Sequence, residues 1–389
     1  MALGLGALAF TITAINVTGT NIAFASIQEE FSGSSRSMLS WALSGYSITL
    51  ATFMVLAGRL ADRLGRRRVF FTGVLVFLIG SLGCALAPSA EAFVAGRVVQ
   101  GLGGALIVPS SLALVLPGFP ASRRTSAVAV WTASGSAGAA GAPSLSAFIV
   151  EWAGWRWVYL IAVPIGLAIL LFGRTLLQES SVEANDEPND YLGFPMGTVA
   201  IGLIALAIVQ GPRWGWTSPG ILASLLAVLV LLPAFVVRSL RHPSPLLDLR
   251  LFKVRAVWTS SLANVFMSMM GLSIWLVWPL FLRGIWGYDL FHVGLAITPG
   301  PVCSTIFGVV AGRLADRHGP RLLISVGSLL PIFVMLWMAL RFTPEPDYWT
   351  TFFPAVAMFG TGFGLTYSPL NGAALRGVGQ EVFGEVNAA

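Results

Sequence analysis

Between Phe70 and Pro88 the only ionisable side chain is the thiol of Cys84, and the stretches Thr198 to Gln210 and Ile221 to Val237 have none at all. With their flanks these runs approach the ~20 residues that a helix needs to cross the hydrocarbon of a bilayer. Inside lipid the backbone must satisfy its own hydrogen bonds, so runs of this kind are helices. Composition agrees: 56% of the 389 residues are apolar and 10% are charged, against about a quarter charged in soluble domains.

Reading apolar blocks between polar breaks gives twelve spans. Six lie at 3–25, 40–58, 69–88, 92–116, 125–150 and 155–173. Six more lie at 191–210, 218–237, 256–282, 291–312, 322–340 and 349–373. Ala23-Phe24-Ala25 resembles a cleavage site, but no basic residue precedes the apolar stretch before it, as a signal peptide requires.

The formal charge of +6 sits in short loops between spans, which argues against a nucleic-acid partner. With the N-terminus on the cytoplasmic side, 17 basic residues fall in inside connections and five outside. That bias sets the orientation and supports the span count. Cys84 and Cys303 lie within spans, at neither disulfide nor metal spacing, so no metal site is expected. His242, His292 and His318 are scattered in loops and form no nucleophile–base constellation. A Gly-x-x-x-x-Gly-Lys phosphate loop is absent, which argues against ATP as a driver. No cofactor is expected.

The heptapeptide Ala57-Gly58-Arg59-Leu60-Ala61-Asp62-Arg63 recurs letter for letter at Ala311-Gly312-Arg313-Leu314-Ala315-Asp316-Arg317. Gly65 matches Gly319, and Arg67 matches Arg321. Both copies follow an even-numbered span, which points to two related halves of equal orientation.

These residues resemble the major facilitator superfamily, and within it the fourteen-span drug:proton antiporter branch. The run from Gly58 through Asp62, Arg63, Gly65 and Arg66 to Arg67 is similar to that family's loop signature between spans two and three. Arg97-Val-Val-Gln100-Gly101-Leu-Gly103-Gly104 is similar to its span-four signature. Gly211 to Pro219 and Pro245 to Phe252 look typical of the branch with two extra spans, and Trp155-Arg-Trp-Val and Val163-Pro-Ile-Gly166 add to the likeness.

Three departures stand out. Aligning the family's span-one Asn with Asn21 puts Asn16 where that signature has an acid, and Ala25 where it has a proline. The span-five antiporter signature keeps Gly138 and Pro143, with Ala142, Ser146 and Ala147 in place of other glycines. The sequence ends at Ala389, where the branch continues for two more helices; the expectation is a C-terminally truncated member.

By resemblance, the duplicated loop latches the cytoplasmic side shut. Asp62 can pair with Arg63 or Arg66, or face the positive N-terminus of a neighbouring span. For Asp316 the resemblance implies the start of the fifth span, near Arg124. The alternative is a topology signal with an incidental acid. Arg97 is the only basic residue well inside a span and has no embedded carboxylate to pair with. Gln100 and Asn16 are its neutral candidates, and a side chain snorkelling to the interface is the alternative. Gly135, Gly138, Gly141 and Pro143 make either a packing face or a flexing element of span five. Phe24, Tyr46, Trp131, Trp275, Trp278 and Tyr367 either line a substrate cavity or belong to packing and interfacial belts.

The sequence therefore implies an all-α membrane protein of the major-facilitator two-bundle type, with about twelve of fourteen expected helices. Residues 1–176 would form an N-terminal six-helix bundle. Residues 177–254 would hold an acidic loop, two extra spans and a basic link, and 255–389 a second bundle of about four helices. The implied function is secondary active export of amphipathic small molecules or drugs by alternating access, with proton antiport implied by family alone. A dedicated single-metabolite exporter and a transport-inactive truncated product are the alternatives. The expected setting is the inner (plasma) membrane, multi-pass, as a monomer, with a small-molecule substrate and the lipid bilayer as partners.

Overall fold

In a computed structural model the described residues are 2–120, 123–177, 179, 190, 192–243, 245 and 249–376. Among them are fourteen α-helices and no β-strand. The first seven are α1 (Ala2–Glu30), α2 (Arg36–Leu64), α3 (Arg66–Ala85), α4 (Ala90–Val115), α5 (Arg124–Ala153), α6 (Arg156–Leu160) and α7 (Ala162–Leu176). Then come α8 (Gly193–Trp214), α9 (Pro219–Arg241), α10 (Arg255–Gly284), α11 (Leu290–Ile297), α12 (Pro299–His318), α13 (Arg321–Arg341) and α14 (Phe353–Arg376). Two expected spans are each a pair of helices, α6 with α7 and α11 with α12, so fourteen helices make twelve spans.

Local chemistry fixes the ends. Ser35, Ser89, Ser218 and Asp289 each accept a hydrogen bond from the backbone three residues on, which satisfies an N–H that the helix leaves orphaned. Gly65 turns the chain from α2 into α3 at φ +103°, and Gly319 turns it from α12 into α13 at φ +84°. Only glycine enters that region without a Cβ clash, which explains why both copies of the repeat carry it.

Nine helical stretches among the described residues are long and apolar enough to cross a membrane. The three other long helices, α5, α10 and α14, have 30, 30 and 24 residues and are rich in Gly, Ser, Thr and Asn. Their small residues let neighbouring backbones approach; α14 is packed among α10, α12 and α13, while α10 keeps Val265, Phe266 and Met269 exposed on its outer face. α9 is the opposite case: 17% of its most apolar window is buried, and Leu226, Leu229 and Val230 face outward, as a lipid-facing helix requires.

Helices α1 to α7 pack as one group, with α3 and α4 in the closest contact. A Cβ on Gly80 of α3 would fall 2.5 Å from the backbone nitrogen of Gln100, so a larger residue there would push α4 away. The group's core holds Phe70, Val74, Phe77, Leu78, Ile107 and Ile169, and a second cluster gathers Phe93, Trp155 and Tyr159 edge to face. Helices α10 to α14 pack around Trp278, Trp286, Phe352 and Phe359. α8 and α9 pack on each other, with α8 against α2. The two main groups meet chiefly where α5 lies along α12, α14 and α11, and Thr305 Oγ1 donates to Ala133 O there at 3.2 Å. Of the expected acidic segment from Gln178 to Asp190, only Glu179 and Asp190 are among the described residues; Asp190 pairs with Arg238 at 2.5 Å.

Candidate functional site

Arg97 on α4 is 1% exposed. Its Nε donates to Ala42 O at 3.1 Å, its Nη1 donates to Gln100 Oε1, and its guanidinium lies 4.2 Å from the Tyr46 ring centroid. Gln100 Nε2 in turn donates to Asn16 Oδ1 at 2.9 Å and Ser81 Oγ at 2.7 Å. Asn16 Nδ2 donates to Ile12 O at 3.0 Å, which leaves Asn16 Oδ1 free to accept. Each amide thus has one consistent orientation, oxygen toward donors and NH2 toward acceptors. This network ties α1, α2, α3 and α4 together around a buried cation that no carboxylate among the described residues touches. Arg97 does not snorkel. Gly101 completes the packing: a Cβ there would lie 2.7 Å from Tyr46 O. Asn21 is exposed, its Nδ2 turned back to Val17 O at 3.3 Å, outside this network.

The two copies of the repeated loop make different bonds. Asp62, 3% exposed, accepts from Arg66 Nε at 3.0 Å and Nη2 at 2.8 Å, and Arg66 Nη1 reaches Ala113 O of α4 at 3.2 Å. Through these bonds that copy, with Gly58 buried and Arg63 half-buried, braces its own helix group. Asp316 instead crosses between groups. Its Oδ2 accepts from the backbone N–H of Ser126 at 2.9 Å and from Ser126 Oγ at 2.5 Å, at the start of α5. The carboxylate therefore meets the positive end of that helix. Gly312 is buried beneath it and Arg317 is exposed beside it.

In span five, Gly138 packs on Thr11 of α1, where a Cβ would lie 2.8 Å from Thr11 Cγ2. Gly141 faces open space, and α5 continues as helix through the buried Pro143.

A cavity of about 480 Å³ lies between the two helix groups. Phe10, Thr132 and Gly135 line it from one group, and Ser268, Trp278, Ser304, Phe359, Phe363 and Tyr367 from the other. Three of the aromatics expected at a cavity stand elsewhere. Phe24 packs in the cluster around Phe93, and Tyr46 is buried under Arg97. Trp131 donates to Ser111 Oγ at 3.1 Å and stacks behind Phe10, with ring centroids 4.1 Å apart. The side chain of Trp275 lies outside the described ones. The sequence does not mark Phe10, Phe359 or Phe363, because one Phe among 25 carries no signal of its own. Ser126 had one: its place two residues past Arg124, at the start of a span.

A family model described as Major Facilitator Superfamily matches residues 6–389. The chain belongs to this family. It is accordingly a multi-pass membrane transporter and not an enzyme. Among relatives, the methylenomycin A resistance protein of Bacillus subtilis (strain 168) is 30% identical over 344 residues, 88% of this chain and 73% of that protein. The multidrug resistance protein Stp of Mycobacterium tuberculosis (strain CDC 1551 / Oshkosh) is 32% identical over 384 residues, 98% of this chain and 70% of that protein. The proton:xylose symporter XylE bound to 6-bromo-6-deoxy-D-glucose shares the fold at a TM-score of 0.64 and 16% identity, over 100% of this chain and 85% of that one. The human organic anion transporter MFSD10 does so at 0.67 and 16%, over 100% and 89%.

Proposed function

We propose that this facilitator exports amphipathic small molecules by alternating access, taking them up in the cavity between α1 and α5 on one side and α10 to α14 on the other. The observation that carries the reading is the pairing of that cavity with the bond from Ser126 to Asp316. The cavity needs a closed end and an open end that exchange. A carboxylate on one helix group held by the helix start of the other supplies a closure that exists in one state and breaks in the next. Relatives named for drug and antibiotic resistance support export over uptake.

The Arg-rich connections, including the turns at Gly65 and Gly319, are placed in the cytoplasm of a plasma-membrane protein on the positive-inside argument. The fourteen-span branch is supported by α8 and α9, which lie in sequence between the two main groups, pack chiefly on each other and touch the first group through α8 on α2. Proton antiport rests on family resemblance alone, since Asn16 occupies the place of the span-one acid and cannot titrate.

The test is efflux of a panel of fluorescent amphipathic dyes from cells expressing the protein, with an empty vector as control. Faster efflux that Asp316→Ala diminishes is the expected result. Dye retention equal to the empty vector across the panel would defeat the reading.

A further inference from the structure

The described wall of the cavity between the helix groups is uncharged. None of its described wall residues has a formally charged side chain, and the helices that build it place their charged residues at their ends. α10, α11 and α14 contain no acid at all. Glu151 of α5 and Asp316 of α12 each lie twelve residues beyond a wall residue, about 18 Å along a helix. Asp289 caps α11, about 12 Å along from Ile297, where it is exposed and bonded to His292 Nδ1 at 2.8 Å. Each of these acids therefore lies two or more helical turns from the wall, too far to touch a ligand there. The formal charge nearest in sequence to a wall residue is positive: Arg283 follows Trp278 by five residues, about 7.5 Å.

Two wall residues hold buried polar groups without a hydrogen-bond partner among the described residues. They are the indole N–H of Trp278, which is 4% exposed, and the hydroxyl of Thr132, which is 7% exposed; both atoms are shut off from water. Buried donors are normally satisfied, and leaving one unmade is costly. The indole can only donate, so what satisfies it must bring an acceptor. The remaining walls are aromatic faces and small residues. Phe10 has one face covered by Trp131, and Phe363 stacks on Tyr367 with centroids 5.0 Å apart. What is left suits a flat apolar body, and attraction of a cation to such rings does not offset burying its charge with no counter-ion.

We infer that the cavity selects an uncharged, flat, largely apolar molecule carrying a hydrogen-bond acceptor, with the Trp278 N–H as donor to it, and discriminates against cations. This rests on the cavity being the transport site.

Three probes share one tricyclic shape. 10-Methylacridone is neutral with a carbonyl acceptor, 10-methylacridinium is cationic, and anthracene has neither feature. Binding of each to the purified protein in nanodiscs is read by fluorescence, with protein-free nanodiscs subtracted. 10-Methylacridone should bind at least about tenfold more tightly than 10-methylacridinium. Trp278→Phe keeps the ring and drops the donor, and should weaken 10-methylacridone by about tenfold while leaving anthracene unchanged. Ser268→Asp places a carboxylate on the wall and should reverse the preference in favour of 10-methylacridinium. Equal or tighter binding of 10-methylacridinium to the unaltered protein would overturn the inference. So would equal loss of 10-methylacridone and anthracene in Trp278→Phe, or binding of none of the three. Because binding is measured without a gradient, a failure of dye export would sink the transport reading while leaving this order of affinities to be judged separately.

Discussion

Replacing Asp316 with Ala should open the Arg-rich face of the protein without unfolding it. Asp316 Oδ2 accepts two hydrogen bonds from Ser126, one from the backbone N–H at 2.9 Å and one from the hydroxyl at 2.5 Å. A hydrogen bond to a charged group is worth about 1.5–3 kcal/mol. Two bonds that share one acceptor atom and one donor residue do not add fully. The helix start contributes about 0.3–1 kcal/mol more for a carboxylate at its positive end. Asp316 is half-buried, so water recovers part of what is lost, and about 2 kcal/mol is the working figure. The bond joins α12 to α5, across the two groups, and is made only while those ends are together. Its loss therefore goes into the open–closed equilibrium, which shifts by roughly thirtyfold.

Spin labels at Leu64, at the end of α2, and Leu322, at the start of α13, report that equilibrium; both side chains are exposed, at 58% and 74%. In nanodiscs, the longer inter-label distance should gain population in Asp316→Ala. Ser126→Ala removes the hydroxyl and keeps the backbone N–H, so its shift should be smaller. Asp316→Asn keeps an acceptor without the charge and should fall between the other two. A distance distribution that Asp316→Ala leaves unchanged would refute the reasoning.

The other copy predicts a different phenotype. Asp62→Asn keeps an acceptor beside Arg66 but removes the charge that the buried guanidinium pairs with, and should cost about 3–5 kcal/mol of stability, seen as a lower thermal midpoint in detergent with no change in the Leu64–Leu322 distance. Gln100→Leu strips Arg97 of a side-chain acceptor and should destabilise by about 3 kcal/mol, whereas Arg97→Met removes the buried charge itself and should cost less in the same melt; a larger loss for Arg97→Met would contradict the account of that network. Asn16→Asp keeps an acceptor for Gln100, and a protonated Asp can still donate to Ile12 O. It should preserve the fold while making efflux from vesicles depend on an imposed pH step; identical dependence before and after the substitution would place coupling elsewhere.

How much of this was legible in the sequence follows from which signals are local. Span positions were, because an uncharged run of about twenty residues has few alternatives in lipid. The turns at Gly65 and Gly319 were marked by a duplicated glycine whose need for positive φ is local too. The Arg97 network was half visible: an embedded Arg with Gln100 one turn on can be read from one helix, and Asn16 from alignment with a family signature. Ser81 and the Ala42 carbonyl could not be, since they arrive from α3 and α2 through packing. The cavity wall was least legible. A ring such as Trp131 and a ring such as Phe10 look alike in sequence, and only the direction each helix turns decides which faces the cavity and which stands behind it.

The same reasoning explains why two identical heptapeptides behave differently. Asp62 and Asp316 sit at equivalent places before equivalent glycines. Four residues after Asp62 comes Arg66, which a helical spacing returns to the carboxylate, and the pair is made at 2.8 Å. Four residues after Asp316 comes Pro320, which offers no donor. The first acid pairs with Arg66 in its own bundle, where the pair braces the joint between α2 and α3 and Arg66 extends to α4. The second has no side-chain donor at that spacing, and it accepts from Ser126, 190 residues earlier. One difference outside the repeat, Arg66 against Pro320, thus separates a structural brace from a contact between moving parts. On this argument Pro320→Arg, which restores the internal partner, should draw Asp316 away from Ser126 and populate the longer Leu64–Leu322 distance, although the acid itself is untouched. The spin-label measurement that tests Asp316→Ala reads this out directly. An unshifted distribution in Pro320→Arg would mean that the helix start of α5, and not the missing donor at position 320, decides where Asp316 points.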